Sequence, residues 1–300
     1  MGTMKPAALR RRIVRATLAS GLLAATTIAG IGMAAPAAHA ASGLHYVALG
    51  DSYSAGPLDG PTTGNLLCLQ SSASYPYDTA SHLHASLDDM SCSGADSANV
   101  TTSSQYPGVP PQVSALSPST QLVTLTDGGN DSDLFVSALL ACGATDILDV
   151  FNIGSPCKAI YGNTFTNEVA ADAATIKSTF AAVKADAPNA QVYVLGYPDI
   201  LPSSGGCYPT MPVTNGDTAY LNNLELDLNS TIQAEAAAAG VHFVSTYSQF
   251  QGHGSCAKGS SQWIDAIIST SGGIAVHPNA TGEQQMAIIL EAALAANGIS

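Results

Sequence analysis

Four short stretches carry residue types that could do chemistry together. The first, Gly50-Asp51-Ser52-Tyr53-Ser54-Ala55-Gly56, places a serine in a glycine-bounded turn directly after a β-rich run. Such a turn can expose the hydroxyl while backbone N–H groups point at the same spot, which suits nucleophilic attack on a carbonyl. An ordinary helix cap uses the same residue types. The second, Ser91-Cys92-Ser93-Gly94-Ala95, is a small-residue turn that says little alone. In the third, Gly128-Gly129-Asn130-Asp131, the Asn130 amide could donate to a developing oxyanion, although a glycine-rich turn needs no function. The fourth is Val276-His277-Pro278-Asn279, where Pro278 restricts the backbone at His277 and starts a helix. His45, His82, His84 and His242 lie in or beside expected core elements and His253 in a glycine-rich segment, so His277 is the base candidate.

These stretches need elements to hold them. His45 to Leu49, Gln121 to Thr126, Gln191 to Leu195 and Val241 to Ser245 are short β-rich runs bounded by Gly, Pro or Asp, and Leu87 to Met90 is a fifth. Longer Ala/Leu patterns predict helices over Ser132 to Ala141, Asn167 to Ala187, Asp217 to Ala239 and Asn279 to Ala296, each opening on a capping residue. Strand-helix alternation predicts an α/β protein with a parallel sheet. Ligands and catalytic groups then collect at the carboxyl ends of the strands, where Ser52 and Asn130 fall. The segments Pro57 to Pro76, Cys142 to Asn163 and Ser203 to Asp217 lack periodicity and read as loops.

Composition narrows the function classes. Lys5, Arg10, Arg11, Arg12 and Arg15 precede an uncharged Ala-rich run that ends in Ala38-His39-Ala40, so residues 1–40 read as a signal peptide and 41–300 as one domain. A membrane anchor is the weaker alternative, and paired arginines leave a twin-arginine route open. Without the leader only Lys158, Lys177, Lys184 and Lys258 stand against 22 acidic residues, a net charge of −18. That excludes a phosphate-tracking nucleic-acid groove and a polybasic membrane patch. Cys68, Cys92, Cys142, Cys157, Cys207 and Cys256 form no C-x-x-C pair, which favours three disulfides over a zinc cluster. Spacing alone leaves 15 pairings, with chain order the simplest. Secretion, no cofactor, no metal and a monomer are the expectations. Asn-x-Ser/Thr matches include Asn130 itself, so glycosylation is not predicted.

In this order GDSYS, SGA, GGND and HPN before a last helix resemble the SGNH, or GDSL, hydrolases over nearly all of the chain beyond residue 40. The six-cysteine layout is similar to that of their secreted actinobacterial lipases and esterases. The resemblance implies a flavodoxin-like, three-layer α/β/α sandwich around five parallel strands. It implies Ser52 as nucleophile and His277 as base, with Ser52, Gly94 and Asn130 as the oxyanion hole. It further implies the pairs Cys68–Cys92, Cys142–Cys157 and Cys207–Cys256. An ester or lipid substrate follows, with lipase or esterase first, phospholipase A second and polysaccharide acetyl esterase third. An inactive secreted binding protein is the reading from another class.

Two positions depart from the family pattern. Ile274 stands where an aspartate three residues before the histidine is usual. The expectation is therefore a Ser-His dyad in which the carbonyl of Ile274 or Ala275 accepts the imidazole Nδ1–H, with Asp265 or Asp127 as alternative carboxylates. Asp265 is expected to be solvated. Asp127, an acid where an apolar residue is usual, is expected to point away from the site or to bond within a turn.

Overall fold

The strands are apolar runs long enough to be covered on both faces, as parallel strands must be. In the computed structural model, which describes residues 43–300 other than 148, 150 and 269–271, they are β1 (His45–Gly50), β2 (Ser86–Asp89), β3 (Leu122–Thr126), β4 (Gln191–Leu195) and β5 (His242–Val244). All pair in parallel, in the order β2-β1-β3-β4-β5. Every residue of β3, and all of β1 after His45, is buried. β2 (SLDD) is an edge strand of alternating exposure, which is why its pattern is the least apolar. The chain leaves β1 for β2 on one side and returns to β3 on the other. That reversal makes the carboxyl ends of β1 and β3 the topological switch point where such sheets bind ligands.

Helices complete the layers. They are α1 (Ser52–Ala55), α2 (Tyr75–His82), α3 (Ser97–Thr101), α4 (Leu134–Asp146), α5 (Pro156–Tyr161), α6 (Thr164–Asp186), α7 (Asn215–Ala239), α8 (Tyr247–Phe250) and α9 (Ala280–Ala296). α2 packs with α9, while α6 packs with both α7 and α3. The expected three-layer α/β/α architecture is present.

Several boundaries differ from expectation. α4 runs on to Asp146 because Leu139 to Ala144 continue its apolar pattern past Cys142. The stretch Cys142 to Asn163 is thus not wholly loop, and it also holds α5, which starts at Pro156. α7 begins two residues early on a Thr214 cap whose side chain accepts from Asp217 N–H, so Asp217 lies in the first turn. α2 and α3 are too short for a periodicity of 3.6 to register. His82, His84 and His242 are exposed, on α2, the turn before β2 and the edge strand β5, and His45 is half-exposed beside Asp88 because it opens β1 at the amino end of the sheet. The signal-peptide reading falls on residues 1–40, outside the described residues.

The long connections after β1, β3, β4 and β5 all emerge at the carboxyl end of the sheet. Disulfides tether them: Cys68–Cys92 joins the β1 and β2 exits, Cys142–Cys157 ties α4 to α5, and Cys207–Cys256 joins the β4 and β5 exits. These are the three pairs the family resemblance implies.

Candidate active site

Ser52 opens α1 immediately beyond β1, and the turn that carries it depends on two neighbours. Gly50 has φ +114°, and a Cβ there would lie 2.3 Å from the Thr126 carbonyl oxygen, so the close β1–β3 approach requires glycine. Asp51 caps α1 by accepting from Tyr53 N–H at 2.9 Å, and also accepts from Thr126 Oγ1 at 2.6 Å and Tyr197 OH at 2.5 Å. Burial pushes the Asp51 carboxyl up to about 6 although all three bonds favour its ionised form. Tyr197 OH in turn accepts from Gly129 N–H at 2.8 Å, which links the Ser52 turn to the turn that carries Asn130. Gln112 brackets Gly50, accepting from its N–H at 2.6 Å and donating to its carbonyl at 2.9 Å.

His277 arrives from the other end of the chain. Residues 263–265 and 276–279 form a short antiparallel pairing: Asp265 N–H donates to His277 O and Val276 N–H to Asp265 O, both at 2.8 Å. Val276 adopts φ +57°, a left-handed conformation that a β-branched residue takes only where its surroundings impose it. Tyr53 OH donates to the Val276 carbonyl at 2.5 Å, and the Tyr53 ring faces the His277 ring with centroids 5.0 Å apart.

The imidazole then has a defined state. Nδ1 lies 2.8 Å from the Ala275 carbonyl oxygen, which can only accept, so Nδ1 carries the proton in the neutral ring. Nε2 is left as an acceptor, 2.7 Å from Ser52 Oγ. Burial holds the His277 pKa below its ordinary value, opposed by the Ala275 bond and by the charge of Asp265.

Three candidate donor residues, Ser52, Gly94 and Asn130, line the cavity beside His277. Asn130 Nδ2 spends one N–H on the Ala95 carbonyl at 2.9 Å and keeps the second. Gly94, at φ +80°, lines the same cavity. Among the described residues the N–H groups of Ser52 and Gly94 have no protein acceptor. The cavity measures about 330 Å³ and is walled by Phe135, Leu139, Ile200, Leu201 and Leu221. Ser52, Gly94, Asn130 and His277 all line it, so the structure brings together every predicted site residue.

Of the two alternative carboxylates, Asp265 departs from expectation and Asp127 meets it. Asp265 is buried at 1% exposure, not solvated, because its backbone is one strand of the pairing that holds His277. Asp127 does point away, but its partner is remote in sequence: its Oδ2 is 2.9 Å from Ser97 Oγ, which is also 2.7 Å from Asp131 Oδ2. One hydroxyl thus lies between two buried carboxyls, an arrangement that favours protonation of one of them. Asp127 is the wholly buried member, and burial drives its pKa well above the ordinary value. Tyr53, Gln112, Ser97 and Tyr197 escape sequence reasoning, because no motif marks a side chain whose partner is 30 to 223 positions away.

A serine hydroxyl bonded to a neutral imidazole, on an apolar cavity at a switch point, defines a serine ester hydrolase of the α/β class. The chain belongs to the GDSL-like Lipase/Acylhydrolase family, whose model matches residues 48–285. It is 41% identical over 285 residues to Lipase 2 of Streptomyces coelicolor, covering 92% of this chain and 95% of that protein. The crystal structure of phospholipase A1 from Streptomyces albidoflavus superposes with a TM-score of 0.70 at 30% identity, over 83% of this chain and 99% of that one. An extracellular lipase of Streptomyces rimosus gives a TM-score of 0.67 at 28% identity, over 83% and 99%.

Proposed function

We propose that the chain is a secreted lipase or esterase that works through an acyl-Ser52 intermediate, with His277 as its base and main chain, not a carboxylate, orienting that base. The observation that carries this is the pair of His277 contacts, Nε2 to Ser52 Oγ at 2.7 Å and Nδ1 to the Ala275 carbonyl at 2.8 Å. His277 Nε2 takes the Ser52 proton as Oγ attacks the ester carbonyl. The oxyanion is held by Ser52 N–H, Gly94 N–H and the free N–H of Asn130. The imidazolium gives its proton to the leaving alkoxide, and a water activated by His277 releases the acid. Three disulfides suit an oxidising compartment, and residues 1–40 would be the export leader. No helix among the described residues is long and apolar enough to cross a membrane.

The apolar cavity favours a carboxylic ester with a hydrocarbon acyl chain over an acetyl group. A phospholipid is the second reading, since the similar protein from Streptomyces albidoflavus is named a phospholipase A1. Steady-state hydrolysis of a p-nitrophenyl ester tests the assignment. Ser52→Ala should fall to background and Asn130→Ala should lose about 10² to 10³ in kcat. Asp265→Asn and Asp127→Asn should each stay within about tenfold of the parent, because neither supplies the bond to Nδ1. A loss of several orders of magnitude in either Asn variant would replace the dyad with a triad.

A further inference from the structure

The carboxyl end of the sheet carries an apolar surface that the chemistry of one ester bond does not need. Among the described residues, every strongly exposed large apolar side chain except Leu226 and Ile288 lies on the connections that emerge there. Two features stand beside the cavity. The turn after β1 exposes Leu66 (75%) and Leu67 (53%) next to the cavity-lining Leu69. α4 exposes Val136 and Leu140 (68%) on one stripe, which the exposed C-cap residue Ile147 continues, while its opposite stripe, Leu134, Ala138 and Cys142, is buried. Val136 itself lines the cavity, so the outer stripe is continuous with the acyl site. The disulfide to α5 tethers α4, and Phe151, at 78% exposure, and Ile160 are exposed on the same tethered segment.

Charge selects the occupant. Residues 57–73 and 134–162 hold only Asp59, Asp146, Asp149 and Lys158, and Asp146 is buried. The chain beyond residue 40 carries −18, so an anionic surface would repel it, while nothing in this face calls for a charged partner. Contiguous exposed apolar surface on a soluble chain marks an interaction site.

We infer that this collar seats the enzyme on the surface of an uncharged or zwitterionic lipid aggregate, with the cavity mouth against the lipid. Acyl chains then pass from the aggregate into the cavity without crossing water. The inference rests on the ester-hydrolase reading of the cavity and deepens it, by naming aggregated lipid as the substrate form.

Binding and turnover are measured separately. Ser52→Ala protein is mixed with phosphatidylcholine vesicles, with phosphatidylglycerol vesicles, and with neither, then sedimented. It should pellet with phosphatidylcholine and at least tenfold less with phosphatidylglycerol at low salt. Adding L66S, L67S and L140S should cut partition to phosphatidylcholine at least tenfold. The same three substitutions in active enzyme should leave hydrolysis of a monomeric, water-soluble ester within twofold and lower the rate on emulsified ester at least tenfold. Unchanged partition, tighter binding to phosphatidylglycerol, or equal losses on both substrates would overturn the collar. So would a parent dimer that the three substitutions convert to monomer, since the face would then cover a second copy. Failure of vesicle binding with full soluble-ester activity refutes the collar and spares the catalytic assignment.

Discussion

His277 owes its readiness to accept a proton to one carbonyl oxygen. The Ala275 contact sets the tautomer, which is a large part of what the acid of a triad does, while giving less charge stabilisation to the imidazolium. The loop geometry behind that contact is strained at Val276, and Tyr53, next to the nucleophile, clamps it through the Val276 carbonyl. Tyr53 is thus a positioning residue. Tyr53→Phe keeps the ring against His277 and should lower kcat about tenfold with KM unchanged, roughly the 1.4 kcal/mol of a strong hydrogen bond. Val276→Gly in that background removes the conformational cost and should recover most of the loss. A KM effect, or no recovery, would make Tyr53 merely structural. Ser52, Asn130 and His277 stand out in the sequence by residue type and setting, Gly94 only through the family resemblance that the four motifs carry in order, and the structure places all four on one cavity. Tyr53, Tyr197 and Gln112 do not stand out, because their roles exist only once β1, β3 and the His277 loop are brought together.

Elements divide along the same line. β1, β3 and β4 are apolar on both faces and announce themselves, whereas β2, half-exposed at the sheet edge, is barely apolar. α6, α7 and α9 were expected to within a few residues, but α4 and α5 were partly hidden in what reads as a cysteine-bearing loop. Asp265 reads as solvated in the sequence because nothing local shows that residues 263–265 pair with 276–279. The α4–α5 segment also depends on its disulfide, which closes 15 residues. Replacing Cys142 and Cys157 with Ala should lower unfolding free energy by about 3 kcal/mol, measured by urea titration. No change in the transition midpoint would mean that core packing alone holds the segment.

For the whole molecule, acidity and burial combine into a pH dependence. Asp51, Asp127, Glu225 and Glu283 are all buried, and burial raises each: Asp51 from 3.8 to about 6, the others well above their ordinary values. A carboxyl whose folded pKa is raised contributes stability that is full below its unfolded pKa and is lost as pH rises through the folded one. The loss therefore begins near pH 4, passes Asp51 near 6 and continues upward. The net charge of −18 beyond residue 40 acts in the same direction, because deprotonation adds repulsion. The melting temperature should be higher at pH 5 than at pH 8; the reverse order in scanning calorimetry would show these carboxyls ionised in the folded state.

The central claim is that Ser52 attacks and His277 activates it. Incubation with a fluorophosphonate, followed by peptide mass spectrometry, reads the first half directly and its rate reads the second. A single phosphonyl adduct on Ser52, formed orders of magnitude more slowly in His277→Ala and at nearly the parent rate in Asp265→Asn, is the predicted result. An adduct on another serine, or equal labelling rates with and without His277, would contradict it.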